Sequence, residues 1–196
     1  NASFSVVCGF LCGFPVGAKS CSDLTDKGKI SSAEGEYLLS FCNNVSPAFL
    51  TGYVAVQSLK QPEMAQICLL FPILAALCCS FLFRRWYLPR NPFAVVEEQA
   101  DPRQFLPFSE ALDESILSAC DSITKIGGYI IVFSVLISFM AELSFQNFFW
   151  KLLLLPGVEL TGGIRMLCQL DLTSELRFLL IMAHCSFGGV CALFQT

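Results

Sequence analysis

Residues 64–83 read Met64-Ala-Gln-Ile-Cys-Leu-Leu-Phe-Pro-Ile-Leu-Ala-Ala-Leu-Cys-Cys-Ser-Phe-Leu-Phe83, without a single charge, and run straight into Arg84-Arg85-Trp86-Tyr87. About 20 mostly apolar residues cross roughly 30 Å of hydrocarbon as a helix. A basic and aromatic cluster is the usual anchor where such a helix meets the interface. The stretch therefore reads as a transmembrane helix. Working outward, further apolar windows cover residues 4–18 (short and glycine-rich), 37–59, 126–141, 145–158 (interrupted by Lys151) and 178–196. The expected fold class is all-α: a polytopic helical membrane protein.

Composition points the same way. Of 196 residues, 55% are hydrophobic and 14% charged, 19 are Phe, and mean hydropathy is +0.63. An average soluble chain has about 25% charged residues. A domain of this size leaves much of its surface exposed, so a water-soluble fold lacks the interior to hide this much apolar material. An ordinary cytosolic enzyme is excluded. The net charge is −4, and the 12 Lys and Arg are scattered, which leaves no basic patch to displace phosphate counterions and excludes nucleic acid as a partner. The 11 cysteines are odd in number, lie mostly among apolar neighbours and form no C-x-x-C pair, so they read as small hydrophobes and not as metal ligands. No metal and no cofactor is expected.

Three units are expected: residues 4–83, a linker 84–125, and residues 126–196. The chain begins at Asn1 without the basic region of a signal peptide and is expected to be a piece of a longer protein. Pro89, Pro92, Pro102 and Pro107 punctuate the linker. Over residues 109–126 it sets Leu112, Ile116, Ile123 and Ile126 on one side, as an amphipathic helix does. Arg84, Arg85 and Arg90 place the linker in the cytoplasm by the positive-inside rule. Lys19, Lys27 and Lys29 ask the same of the segment before Tyr37, with Lys60 outside.

Lipid accepts polar groups and non-helical backbone only where protein or a water-filled cavity receives them, so residues that break the apolar windows are informative. They fall in two groups: Gly13-Phe-Pro-Val-Gly-Ala-Lys19 with Phe41-Cys-Asn-Asn-Val-Ser-Pro-Ala-Phe49, and Pro156-Gly-Val-Glu-Leu-Thr-Gly-Gly163 with Ser186-Phe-Gly-Gly189 and Gln195. In each, a Gly/Pro-broken element is followed by a charged connector and a second interrupted helix, the pattern of a diverged internal repeat. Paired broken helices in matching halves point to a transporter's midplane site, because they aim free N–H and C=O groups at solute. The competing reading is that Gly and Pro permit close packing and that the amides are interhelical glue. The candidate substrate-binding residues are Gly13, Pro15, Lys19, Asn43, Asn44, Ser46, Glu159, Thr161, Gly162, Ser186, Gly188, Gly189 and Gln195. Phe14, Phe49 or Phe187 would stack on an aromatic solute.

Glu159 follows an apolar run, and an acid at the centre of an inserted helix costs about 2.5 to 3.5 kcal/mol on translocon scales. Substrate, a coupling proton, a cation, or pairing with Lys19 or Arg165 would repay that. His184 reads as a packing histidine or a proton relay. No catalytic pattern occurs, neither G-x-S-x-G nor H-E-x-x-H nor G-x-x-x-x-G-K-[ST], so an enzyme is not expected.

At Gly13–Lys19, Glu36-Tyr-Leu-Leu-Ser-Phe-Cys-Asn-Asn-Val-Ser-Pro47, Ile126-Gly-Gly-Tyr-Ile-Ile-Val-Phe133, Glu159-Leu-Thr-Gly-Gly-Ile164 and Ser186-Phe-Gly-Gly-Val190 with Gln195, the chain resembles the bacterial stage V sporulation integral membrane proteins. These carry paired nucleoside-recognition, or Gate, domains. The resemblance implies two broken-helix hairpin (Gate) elements and a transporter of endospore formation that moves dipicolinic acid across the outer forespore membrane. Gly162-Gly163 stands where the family more commonly has a polar residue followed by Gly. Implied partners are a small-molecule solute and the lipid bilayer, with a homo-oligomer left open. The alternatives are a nucleoside or ferrous-iron Gate-type transporter, or a non-transporting scaffold of the spore envelope.

Overall fold

In the computed structural model, residues 2–87, 107–142 and 156–195 are described. They form helices α1 (Ala2–Cys12), α2 (Val16–Asp26), α3 (Ser32–Cys42), a π-helix (Phe49–Ser58), a 3-10 turn (Pro62–Met64), α4 (Ala65–Tyr87), α5 (Phe108–Glu142), α6 (Leu160–Gln169), α7 (Ser174–Phe187) and α8 (Val190–Gln195). No strand occurs among the described residues. The chain is an all-α, polytopic membrane protein.

Among the described residues, three stretches are long and apolar enough to cross a bilayer: Pro62–Tyr87, Phe108–Glu142 and Ser174–Gln195. On α5 only 6% of the apolar window is buried against protein, and Ile131, Val132, Val135 and Phe139 all face outward. In water such a surface would drive aggregation, whereas in lipid it is the expected exterior. The amphipathic stretch 109–126 and the window 126–141 are continuous in one helix, α5. The window 145–158 falls largely outside the described residues, as do linker residues 88–106.

Local sequence explains the helix ends. Ser31 accepts the Glu34 N–H while the Glu34 side chain accepts the Ser31 N–H, a capping box that starts α3. Thr173 caps α7. Gly188 ends it at φ +80°, a left-handed conformation that a side chain disfavours. The hairpin of α1 and α2 packs on α3 through small residues. A Cβ on Gly17 would stand 2.5 Å from the Cys42 carbonyl oxygen, and one on Gly9 would overlap it. Close packing through Gly, one of the two readings of the sequence, thus operates at these positions.

One core gathers Cys21, Ile30, Leu38 and Cys42 behind that hairpin. A larger one joins the halves, with Val45, Leu50 and Val54 packing among Ile164, Leu167 and Ile181.

The two halves run in opposite senses. Tyr37, early in α3, places its hydroxyl 2.7 Å from Ser80 Oγ, late in α4, so α3 starts at the Arg84–Arg85 end of α4. That helix has 23 residues, about 35 Å at 1.5 Å per residue. From there the chain passes through α3, the break at 43–46 and the π-helix to Lys60, at the opposite end. Lys60 shares a cavity with Arg165, Gln169 and Arg177. The turn joining α6 to α7 therefore lies at the Lys60 end, whereas the turn joining α2 to α3 lies at the Arg84 end.

Candidate solute site

Four interruptions in the helices come together. In the first half the Phe14 N–H donates to the Asn44 carbonyl at 2.8 Å, which ties the α1–α2 tip to the break after α3. In the second half the Val190 and Cys191 N–H groups donate to the carbonyls of Gly157 and Val158 at 2.8 and 2.9 Å. Each half thus satisfies much of its broken backbone by pairing one interruption with the other, as burial away from water requires. The direction of donation is reversed between halves.

The halves then meet. The Tyr53 hydroxyl donates to the Thr161 carbonyl at 2.9 Å, linking the π-helix to α6. A Cβ on Gly188 would stand 3.1 Å from Cε1 and Cζ of Phe14. Between them lies a cavity of about 150 Å³ whose walls include Phe14, Ser46, Phe49, Glu159, Thr161 and Gln195. A cavity of that volume accommodates one six-membered aromatic ring. A second cavity of about 340 Å³ adjoins it, sharing Ile126 and Gln195 and adding Pro15, Lys19, Asp23 and Ser122.

Glu159 is almost wholly buried, with 2% of its surface exposed. Its Oε1 accepts from the Thr161 N–H at 2.8 Å and the Thr161 hydroxyl at 2.6 Å, and its Oε2 accepts from the Gly162 N–H at 2.6 Å. The residue is the N-cap of α6, so a helix N-terminus and three donors offset the cost of the buried charge. Pairing with Lys19 or Arg165 is not how the structure meets that cost. Lys19 instead donates to Ser118 Oγ at 3.1 Å and Ser122 Oγ at 2.9 Å on α5. Among the described residues the ion pair present joins Lys125 to Asp121.

Of the residues singled out in the sequence, Ser46, Glu159, Thr161, Gly188 and Gln195 line the central cavity, and Pro15 and Lys19 line the adjoining one. Others shape the breaks without lining the cavity. Gly13 sits tightly over the Ser46 backbone, Asn43 ends α3, the Gly162 N–H holds Glu159, and the Gly189 carbonyl accepts from Ala192. The Asn44 side-chain amide donates to the Phe41 carbonyl at 2.6 Å. Ser186 is exposed and donates to its own helix at Met182, and Phe187 is 55% exposed. His184 is buried with Nδ1 donating to the Leu180 carbonyl at 2.7 Å. Cys12, Ile126, Ile130 and Cys191 line the cavity but were not among the candidates. Ile126 and Ile130 share a face of α5 by their i, i+4 spacing, yet nothing in that spacing says which face meets the breaks.

No family model matches the chain, and no solved structure matches it. The chain is similar to the sporulation integral membrane protein YlbJ of Bacillus subtilis (strain 168), with 28% identity over 147 residues covering 67% of this chain. The match spans 36% of the relative's length, so the chain corresponds to about a third of it. At this identity the chain is a distant homologue of a sporulation integral membrane protein.

Proposed function

We propose that the chain forms the solute-handling part of a non-enzymatic membrane transporter used in endospore formation, with dipicolinate as the solute and the outer forespore membrane as its place. One observation carries this reading: interrupted helices from two oppositely oriented halves converge on one cavity. Inverted halves meeting at broken helices are the architecture in which rocking of one half against the other exposes a fixed site to each side in turn. The similarity to a sporulation membrane protein supplies the biological setting.

Cavity chemistry favours a single aromatic ring. Phe14 and Phe49 supply ring surfaces, Ser46 and Gln195 supply side-chain donors, and the volume of about 150 Å³ suits a pyridine better than the larger base-plus-ribose of a nucleoside. Dipicolinate is a dianion at neutral pH, and two unpaired negative groups repel strongly at low dielectric. Glu159, at the cavity wall and held by α6 through three hydrogen bonds, is therefore the group assigned to coupling.

The test is uptake into liposomes that contain the complete protein, with dipicolinate, nucleosides and ferrous iron compared side by side under imposed gradients. Dipicolinate accumulation above protein-free vesicles is the expected result. Nucleoside or iron accumulation in its place reassigns the solute, and no accumulation of any of them favours an envelope scaffold.

A further inference from the structure

We infer that Lys60, Arg165 and Arg177 form an oxyanion-binding site, separate from the central cavity, at the end of the helices opposite Arg84 and Arg85. In sequence these are isolated charges between short apolar pieces. The fold brings them to one cavity of about 530 Å³, walled also by Tyr53, Gln57 and Gln169 and by no Asp or Glu.

Three features give the cluster its character. Among the described residues none of the three cations has a carboxylate within ion-pairing distance, and the ion pair present lies elsewhere, at Lys125 and Asp121. Arg177 is pinned by its Nη2, which donates to the carbonyls of Leu170 at 3.1 Å and Leu172 at 3.2 Å. Its Nε is buried with no acceptor among the described residues. Three cations around one cavity walled by no carboxylate leave the countercharge to a ligand, and an oxyanion supplies it through charge-assisted hydrogen bonds from the exposed Lys60 and Arg165. A guanidinium fixed in place also loses little freedom on binding.

Location adds an independent reason. The positive-inside bias gathers Lys and Arg on the cytoplasmic side, here the Arg84–Arg85 end of α4. Three cations collected at the other end run against that bias, so orientation in the membrane does not account for them. The site stands beyond the transport reading and holds whether or not the central cavity conducts. Its ligand chemistry is an anionic oxygen group, a carboxylate or a phosphate. A free anion or a lipid headgroup carries such a group.

The experiment uses the complete protein, delipidated in neutral detergent, with ionic strength held constant by chloride. Thermal unfolding is followed while inorganic phosphate or dipicolinate is titrated. In a second arm the protein is placed in phosphatidylcholine nanodiscs with and without phosphatidylglycerol, and hydrogen exchange is read over residues 165–177. The expected result is a saturable rise in unfolding temperature, or slowed exchange with the anionic lipid, weakened at least ten-fold in apparent affinity by Arg165→Gln and by Lys60→Gln. Both side chains are exposed, so these variants keep the test alive if Arg177→Gln fails to fold. A response to free anion alone assigns a soluble ligand, and a response to phosphatidylglycerol alone assigns a headgroup. Absence of both responses, or responses unchanged in the two variants, overturns the site. Binding at this site without any solute flux leaves the inference standing and sinks the transport reading alone.

Discussion

Phe14, at the tip of the first hairpin, lies against Gly188, the left-handed residue that closes α7, so closely that a methyl there would sit 3.1 Å from two ring carbons. The contact joins the two halves at the cavity wall. Gly188 answers to two demands at once, a positive φ and room for the ring.

Gly188→Ala is therefore expected to lose about 1–2 kcal/mol from the left-handed backbone alone. The added methyl presses on Phe14 as well. Replacing Phe14 with Leu relieves the second demand but not the first, so the double variant should be more stable than the sum of the single losses predicts. Thermal unfolding of the three variants in detergent checks this, and strict additivity would show that the ring and the glycine do not interact.

Glu159→Ala removes the cap of α6 together with all three of its hydrogen bonds, and a loss of about 1–2 kcal/mol is expected. Glu159→Gln keeps one acceptor oxygen and removes the charge, so it should fold and bind solute nearly as the parent does. Its flux, however, should lose the pH dependence that the ionisable group confers. Flux measured from pH 5 to 8 at matched protein abundance decides the matter. An unchanged profile makes Glu159 a cap and nothing more.

Asn44 and Ser46 lie two residues apart, but the structure gives them different work. The Asn44 amide terminates α3 on the Phe41 carbonyl, and Ser46 faces the cavity while its hydroxyl accepts from the Phe49 N–H. Asn44→Ala should cost about 1 kcal/mol of stability, the net worth of a typical hydrogen bond, and weaken solute binding through the displaced break. Ser46→Ala should weaken binding at a smaller cost in stability. Equilibrium binding and thermal unfolding, measured on both variants, separate these effects.

Membrane orientation is open to direct labelling. In a cysteine-free background, a single cysteine at Gln61, beside Lys60, should react with an impermeant thiol reagent in intact cells, and one at Gln99 in the linker should not. Equal labelling at the two positions contradicts the orientation.

The sequence by itself determined the membrane class. Uncharged windows of bilayer length, ended by Arg84-Arg85-Trp86-Tyr87, need no tertiary information, because lipid is a solvent whose demands each helix meets alone. It also marked the four breaks, since Gly, Pro and Asn inside apolar runs interrupt helical hydrogen bonding wherever they occur. Which side chains face the cavity was decided only in three dimensions. Asn44 and Ser186 have the composition of solute ligands, yet each spends its polar group on a nearby carbonyl, and Ile126 and Ile130 reach the site from a helix whose cavity-facing side no spacing marks. The partner of Glu159 was likewise not legible. Its charge is met by N–H groups two and three residues ahead rather than by Lys19 or Arg165, because a free helix end lay closer than any cation. The meeting of Lys60, Arg165 and Arg177 depends on the opposite running of the two halves, and residues more than a hundred positions apart carry no local signal of that meeting.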